Sequence, residues 1–318
     1  MPYFLDHSSG GGVETQGVTL VDLPPAQRAA RIVADIDRHL VEEAQRRERP
    51  RIVVSDNGNA APADIDIVVV ATAPAAYEAL ARGLGPLSQV VGTRDFPNRN
   101  NWVVGVVPNA RQGDLRVLLA EPTWKGNDEV RMVSDLVHAF RPEHVMLVCA
   151  GELLARRVQV GHVVVAERVY GHGGSAGTMF PRPDLSFPTD PALANAASVL
   201  AGSASAPSTV HVGPITAGLA GTRRGRAAFA PVLTTWPDLL ATVGDRIAVV
   251  EALEELRQRG LFATFSVLCP IAAEAGVTSN HVHGGQSTMA SSGAADAVAA
   301  VVRRLVADLW PAAARGQL

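Results

Sequence analysis

The sequence predicts an α/β layered domain on a largely parallel or mixed sheet, and three observations carry that prediction. Apolar runs of strand length, among them IDIVVVATA, HVMLVC and FSVLC, are continuous rather than alternating, as strands covered on both faces are. Stretches with helical spacing of apolar residues separate these runs, and that alternation is the signature of the α/β class. The 318 residues are 47% hydrophobic and 19% charged, enough apolar material for a sizeable core.

Taken in order, residues 1–23 are polar and Gly-rich, a loose arm. Pro24 and Pro25 open a helical stretch to Glu48, with Ile32, Val33, Ile36, Leu40 and Val41 on one stripe. RIVVS is a short strand and DNGNAAPAD a turn-rich linker, so 1–60 form an N-terminal extension with one helix and 61–318 the main domain. IDIVVVATA is then a buried strand, and PAAYEALARGLG a short helix closed by glycine. WVVGVVP and LRVLLAE are strands around a tight NARQGD turn. NDEVRMVSDLVHAFRPE is an amphipathic helix with Asn127 as N-cap. HVMLVCAG is a strand ending in small residues, and VQVGHVVVAERVYG a long or bent one. Residues 171–190, dense in Gly and Pro, predict a long functional loop. PALANAASVLAG is a helix and STVHVGPI a strand. A Gly-rich turn and a helix near WPDLLATV follow. IAVVEALEELRQRG combines a short strand and a helix. LFATFSVLCP is the last strand, and ASSGAADAVAAVVRRLVADLW the closing helix.

Composition excludes several functions. The 28 basic and 31 acidic side chains give a net charge of −3, unlike a protein that grips a nucleic-acid backbone. Two cysteines exclude a disulfide framework and a Cys-rich zinc site. Both close apolar runs, so each reads first as a buried reduced thiol. No apolar run is long enough to span a membrane, and MPYFLDHSSGGG lacks the features of a signal peptide. The expectation is a cytoplasmic protein with no membrane contact.

Ligands in open α/β sheets sit at the carboxyl ends of strands. Four such ends are notable: 71–74, Cys149-Ala150-Gly151-Glu152, 213–218 with Thr216 and Gly218, and 269–274 from Cys269 to Glu274. Small residues there let a ligand approach backbone N–H groups, although a packed turn has the same composition. Glu152 follows a buried strand directly, which suits a sugar-hydroxyl ligand or an acid/base. Gly173-Gly174-Ser175-Ala176-Gly177 has nucleophile-elbow spacing beside His172, but MFPRPDLSFP cannot supply the helix an elbow needs, so a flexible substrate loop is expected. His281 and His283 alternate in NHVHGG without the carboxylates that would accompany a metal, so no metal is expected. TWKGND places the sole lysine, Lys125, at a helix start that suits an anion.

Together these segments resemble the nucleoside phosphorylase superfamily, which includes purine nucleoside phosphorylases and methylthioadenosine/adenosylhomocysteine nucleosidases. The resemblance runs from about Asp64 to Leu309 and is densest in FRPEHVMLVCAGELLARRVQVGHVVVAERVYG. FPRPD and VHVGPITAG resemble a bacterial subgroup often fused to signalling or defence ATPases. The resemblance implies a three-layer α/β/α sandwich with a central mixed sheet. It also implies cleavage of an N-glycosidic bond through an oxocarbenium-like transition state, with phosphate or water taking the sugar. In the family an aspartic acid after the last strand protonates the purine, a Met-Glu pair holds the ribose, and a glutamate near the first strand activates water.

This chain departs from that pattern at the chemistry-bearing positions. The acid falls at Ala273, with Glu274 next to it, and the Met-Glu segment falls at Val250-Glu251-Ala252-Leu253. The first-strand glutamate falls at Ala75 or Ala76, near Glu78, and Glu152 replaces a glycine. Loss of a leaving-group acid costs on the order of 10²–10⁴ in rate, which disfavours ordinary purine nucleoside cleavage. The resemblance therefore implies a divergent enzyme acting on a nucleoside-like small molecule, with Glu152, Glu251 and Glu274 as its acids. Cys149, Ala150, Gly151, Thr216, Gly218 and Cys269 would line the substrate site, Tyr170 and Phe180 would stack a ring, and His281 and His283 would also bind the substrate. No resident cofactor is implied. Inorganic phosphate is the candidate co-substrate, with Arg94, Arg223 and Arg224 its candidate ligands, and a homo-oligomer is expected. The alternatives are an inactive nucleotide-binding sensor or scaffold, and a repurposed enzyme of specialised metabolism.

Overall fold

The computed structural model describes residues 53–56, 59–62, 64–85, 87–91, 102–110, 113–121, 127–175, 178–204, 206–218, 226–274 and 286–309. The helix expected in 24–48 lies outside them. β1 (Val53–Asp56) pairs antiparallel with β2 (Asn59–Pro62), and β1 also joins the fourth strand. Among the described residues the sheet therefore starts at Val53, ahead of the boundary expected at 61, and the stretch expected as a linker contains a strand. Asn59–Pro62 carries no β-branched residue, so its pairing comes from β1 and not from its own propensity.

β3 (Ile67–Ala71) is wholly buried, as its continuous apolar run demands. α1 (Pro74–Gly83) follows with proline at its first position and closes before Gly85, whose φ is +86°. β4 (Leu87–Val91), β5 (Val103–Asn109) and β6 (Gly113–Ala120) form an antiparallel edge. β4 was not foreseen, because LSQVV is short and half polar. Then come α2 (Asn127–Phe140), β7 (His144–Val148), β8 (Gly151–Leu153) and β9 (Val163–Ser175).

β10 (Thr178–Pro188) pairs antiparallel with β9, so most of the loop expected at 171–190 is a β-hairpin. The glycines that argued against a strand are there for packing. A Cβ on Gly171 would lie 2.5 Å from the Leu185 Cβ, so the close approach of the two strands requires a bare backbone. α3 (Pro191–Ala201) and β11 (Val210–Gly218) match expectation. α4 (Ala230–Thr235) lies ahead of WPDLLATV, which instead forms a turn and β12 (Ala241–Thr242). α5 (Ile247–Gln258) is helical from its first residue, β13 (Thr264–Glu274) is the last strand, and α6 (Gln286–Arg304) closes the chain.

The strand order is β10-β9-β11-β12-β8-β13-β7-β3-β6-β5-β4-β1-β2, parallel at its centre and antiparallel at its edges. β3 alternates between two cores. Val68 and Val70 pack with Leu136 of α2 and Leu253 of α5. Ile67, Val69 and Ala71 pack with Leu80 of α1, Leu193 of α3 and Val298 of α6. This is a three-layer α/β/α arrangement around a mixed sheet. β9 also pairs with β13, so β9, β11, β12, β8 and β13 close a ring.

Candidate functional site at the strand tips

The ring gathers several strand ends. β3 and β7 finish side by side, with the Thr72 N–H donating to Val148 O at 2.9 Å. β13 runs along β7 as far as Leu268 and then changes partner, facing Gly151 and Glu152 of β8 from Ile271 and Ala273. Thr242 of β12 lies opposite Glu152 on one side and Thr216 of β11 on the other. The Gly218 N–H donates to Gly244 O at 2.5 Å, extending that pairing past the strand. Two glycines make the convergence possible. Gly244 holds φ +64°, and a Cβ on Gly218 would meet the His172 Nε2 at 2.7 Å.

The strongest electrostatic feature is at the end of β12. Arg246 places Nε 3.1 Å from Glu129 Oε2 and Nη1 2.5 Å from Asp245 Oδ1. Glu129, from the first turn of α2, is buried, whereas Asp245 is half exposed. Burial pushes the nearby Cys149 thiol up to about 12. Arg246 and a hydrogen bond with Thr72 oppose that shift, while Glu129 and Asp245 reinforce it. Burial also holds the Cys269 thiol well above its ordinary value, aided by Cys149. Both cysteines are protonated, buried packing groups, and neither is a nucleophile at neutral pH.

His172 and Thr216 form a second buried unit. The Thr216 hydroxyl donates to Tyr170 O at 2.8 Å, so it accepts from His172 Nδ1–H, also at 2.8 Å. That network assigns the imidazole its Nδ1–H tautomer. Burial drops His172 to about 4, and Phe229 meets its ring edge-on. A histidine with a folded pKa below its unfolded 6.5 stabilises the fold above pH 6.5 and loses that contribution as pH falls toward 4. Urea unfolding of the wild type and of His172→Gln at pH 7 and pH 4 should differ in their pH dependence by about 3 kcal/mol. Parallel curves would remove His172 as the titrating group.

Other expected site residues are placed differently. Tyr170 stacks on Trp236 with centroids 4.5 Å apart, so one ring face is already covered. Phe180 is 42% exposed opposite Gly173, three residues along β9 from Tyr170, and the strand period puts the two rings on opposite faces of the hairpin. They do not sandwich a common ligand. Glu251 is exposed in the second turn of α5, within electrostatic reach of Arg182, and is not at a strand tip. Because α5 starts at Ile247, the residues that leave β12 at the site are Val243–Arg246. Glu152 is half-buried, and the hydroxyl of Thr242 opposite it is buried with no hydrogen-bond partner among the described residues. The backbone of Glu274 lies opposite Leu153, one position past Ala273 and Glu152. Ala150 and Gly151 link β7 to β8, and a Cβ on Gly151 would press on Cys269 Cβ at 3.2 Å. His281, His283, Lys125, Arg94, Arg223 and Arg224 lie outside the described residues.

Sequence reasoning missed Glu129, Arg246 and Glu121, and named Asp245 only as a carboxylate able to take the place of the missing proton donor. Glu121 follows β6, and burial raises its carboxyl, with Glu78 adding to the effect. The signal that singled out Glu152, a charge directly after a buried strand, also marks Asp245. It was hidden because β12 is only two residues long.

No protein-family model and no curated protein sequence matches the chain. Solved structures do match it. The 5'-methylthioadenosine/S-adenosylhomocysteine nucleosidase of S. pneumoniae, solved with the transition-state inhibitor MT-ImmA, has a TM-score of 0.57 and 17% identity over 76% of this chain and 100% of its own. The Neisseria meningitidis enzyme, in complex with methylthio-immucillin-A, gives 0.56 and 18% over 76% and 99%. The Helicobacter pylori enzyme, with butyl-thio-DADMe-Immucillin-A, gives 0.58 and 12% over 76% and 99%. With its three layers, closed strand ring and near-complete coverage of these enzymes, the chain has the same α/β/α fold as these nucleosidases at low sequence identity.

Proposed function

We propose that the protein cleaves the N-glycosidic bond of a nucleoside-like small molecule at the tips of β3, β7, β11 and β12. The observation that carries this reading is the Glu129–Arg246–Asp245 cluster beside Cys149. Two carboxylates share one guanidinium, so among the described residues these three side chains together carry a formal charge of −1. A glycosidic bond breaks with positive charge developing on the sugar, so a fixed negative field favours the transition state over the neutral ground state. Arg246 sets its cation beside the buried Glu129 carboxyl, while half-exposed Asp245 remains accessible to a ligand. Glu152 serves the sugar hydroxyls or a proton, with the unsatisfied Thr242 hydroxyl opposite it as a further ligand group. Glu121, held up by burial, is the group suited to carry a proton near the first strand. Water or inorganic phosphate accepts the sugar, and the working unit is a homo-oligomer.

The test uses the full chain with 5'-methylthioadenosine, S-adenosylhomocysteine, adenosine and inosine, each with and without phosphate, with free base quantified by chromatography. Release of base is expected from one of them, reduced on the order of 10²-fold or more in Asp245→Asn and in Glu152→Gln. Dependence on phosphate would identify a phosphorylase. Saturable binding of these nucleosides with no base released would overturn the enzyme reading in favour of a non-catalytic binding domain, which the alanines at 272 and 273 would suit.

A further inference from the structure

A second cleft lies at the other end of β8 from the strand tips. Leu154 and Ala155 leave β8 and donate their N–H groups to Leu240 O, at 2.9 and 3.1 Å, which fixes the turn carrying Arg156 and Arg157. Arg226 faces the same cleft from the 3₁₀ turn before α4. The cleft has a volume of about 360 Å³. Its floor is apolar: Leu154 and Leu239 are fully buried in a small cluster with Phe229 and Val232, and Leu233 packs against it.

Its rim is cationic in a way that the fold does not explain. Arg156, Arg157 and Arg226 are exposed and make no ion pair among the described residues, whereas Arg82, Arg182, Arg246, Arg257, Arg259 and Arg304 each hold a carboxylate. Asp238 is the one acidic residue on the cleft. The Arg157 charge also reaches His211, where it adds to burial in lowering that imidazole. Three like charges line one concavity, and an anion bound among them would offset their repulsion and accept from their planar donor forks.

We infer that this cleft binds a small organic phosphate. The phosphoryl oxygens sit among Arg156, Arg157 and Arg226, and the organic part lies on Leu233 and Pro237. A concave, apolar-floored space of this size fits a small molecule. A nucleic-acid backbone would call for an extended basic face, and the chain has a net charge of −3. The site is separate from the strand tips, so it stands or falls independently of glycosidic cleavage.

Calorimetric titration of the full chain with phenyl phosphate and with inorganic phosphate tests it. Phenyl phosphate should bind about tenfold more tightly, because its ring covers Leu233 and Pro237. Arg156→Ala and Arg226→Ala should each weaken it about tenfold. Arg116→Ala, at an exposed position on β6, and Asp245→Asn, at the strand tips, should leave it unchanged. Asp238→Asn should tighten binding about threefold or more by removing the like charge, a gain that misfolding cannot produce. The inference is overturned if Arg156→Ala and Arg226→Ala bind phenyl phosphate as the wild type does. It is also overturned if Arg116→Ala or Asp245→Asn weakens binding equally, or if single-stranded DNA binds in a length-dependent way while phenyl phosphate does not.

Discussion

Replacing Arg246 with methionine is expected to lower folding stability by about 3–5 kcal/mol, because it removes the guanidinium that faces the buried Glu129 carboxyl. The exposures decide the size: the Glu129 side chain is 4% exposed and that of Arg246 is 18%, so water cannot replace the lost charge. The pair also ties the first turn of α2 to the start of α5, two helices on the same face of the sheet. Urea unfolding measures the loss. The double variant Arg246→Met/Glu129→Gln should recover much of it, since both members of the pair are then neutral. A cost below about 1 kcal/mol for Arg246→Met would mean that the cluster is solvated like a surface pair. The electrostatic argument for the site would fail with it.

Asp190→Ala is expected to cost about 2–4 kcal/mol, summed over a lost helix cap and the abandoned Thr264 hydroxyl donor. One carboxylate oxygen accepts from the N–H groups of Ala192 and Leu193, at 2.8 and 3.3 Å, and so caps α3. The other accepts from Thr264 Oγ1 at 2.9 Å and lies 3.3 Å from His144 Nδ1. Since the Thr264 hydrogen goes to Asp190, its oxygen accepts from His144 Nδ1–H at 2.7 Å. His144 Nε2 then accepts from Ser266 at 2.9 Å. The Ser266–His144–Asp190 constellation has the members of a catalytic triad, but His144 and Ser266 are each 1% exposed within paired strands, so no substrate reaches the hydroxyl. Its role is to satisfy polar groups where β7 and β13 meet α3.

The same network gives an acid-side prediction. Burial pushes the Asp190 carboxyl up, but the polar hydrogens that face it, from the His144 imidazole, the Thr264 hydroxyl and the Ala192 N–H, outweigh that and hold it at about 2. A carboxylate depressed below its unfolded value of 3.8 contributes stability above that pH and loses it as pH falls through 2. That contribution is about 2 kcal/mol. It should be absent from Asp190→Asn, which keeps the cap but not the charge, in unfolding curves taken between pH 4 and pH 2. Equal acid sensitivity of the two proteins would contradict the assignment.

The sheet centre was legible because its signal is local. β3, β7 and β13 are continuous apolar runs whose two faces must both be covered, and the helices between them carry the stripes that cover them. The hairpin of β9 and β10 was not legible. Its glycines and prolines argue for a loop until Leu185 is seen over Gly171. β12 was invisible for a related reason: two residues have no periodicity, and Ala241 and Thr242 become a strand only because Ile215 and Leu153 already lie on either side.

The candidate site divides in the same way. The chain alone determined that small residues and Glu152 would follow buried strands, because chain order and burial propensity are written residue by residue. Tertiary structure alone decided that Asp245 and Arg246, not Glu251, stand at the tips. It also decided that Glu129 crosses from α2 to meet them, and that Tyr170 and Phe180 face apart. These depend on register and on where a helix begins, and a shift of a few residues in either changes which side chain reaches the site without altering the apolar pattern that specifies the fold.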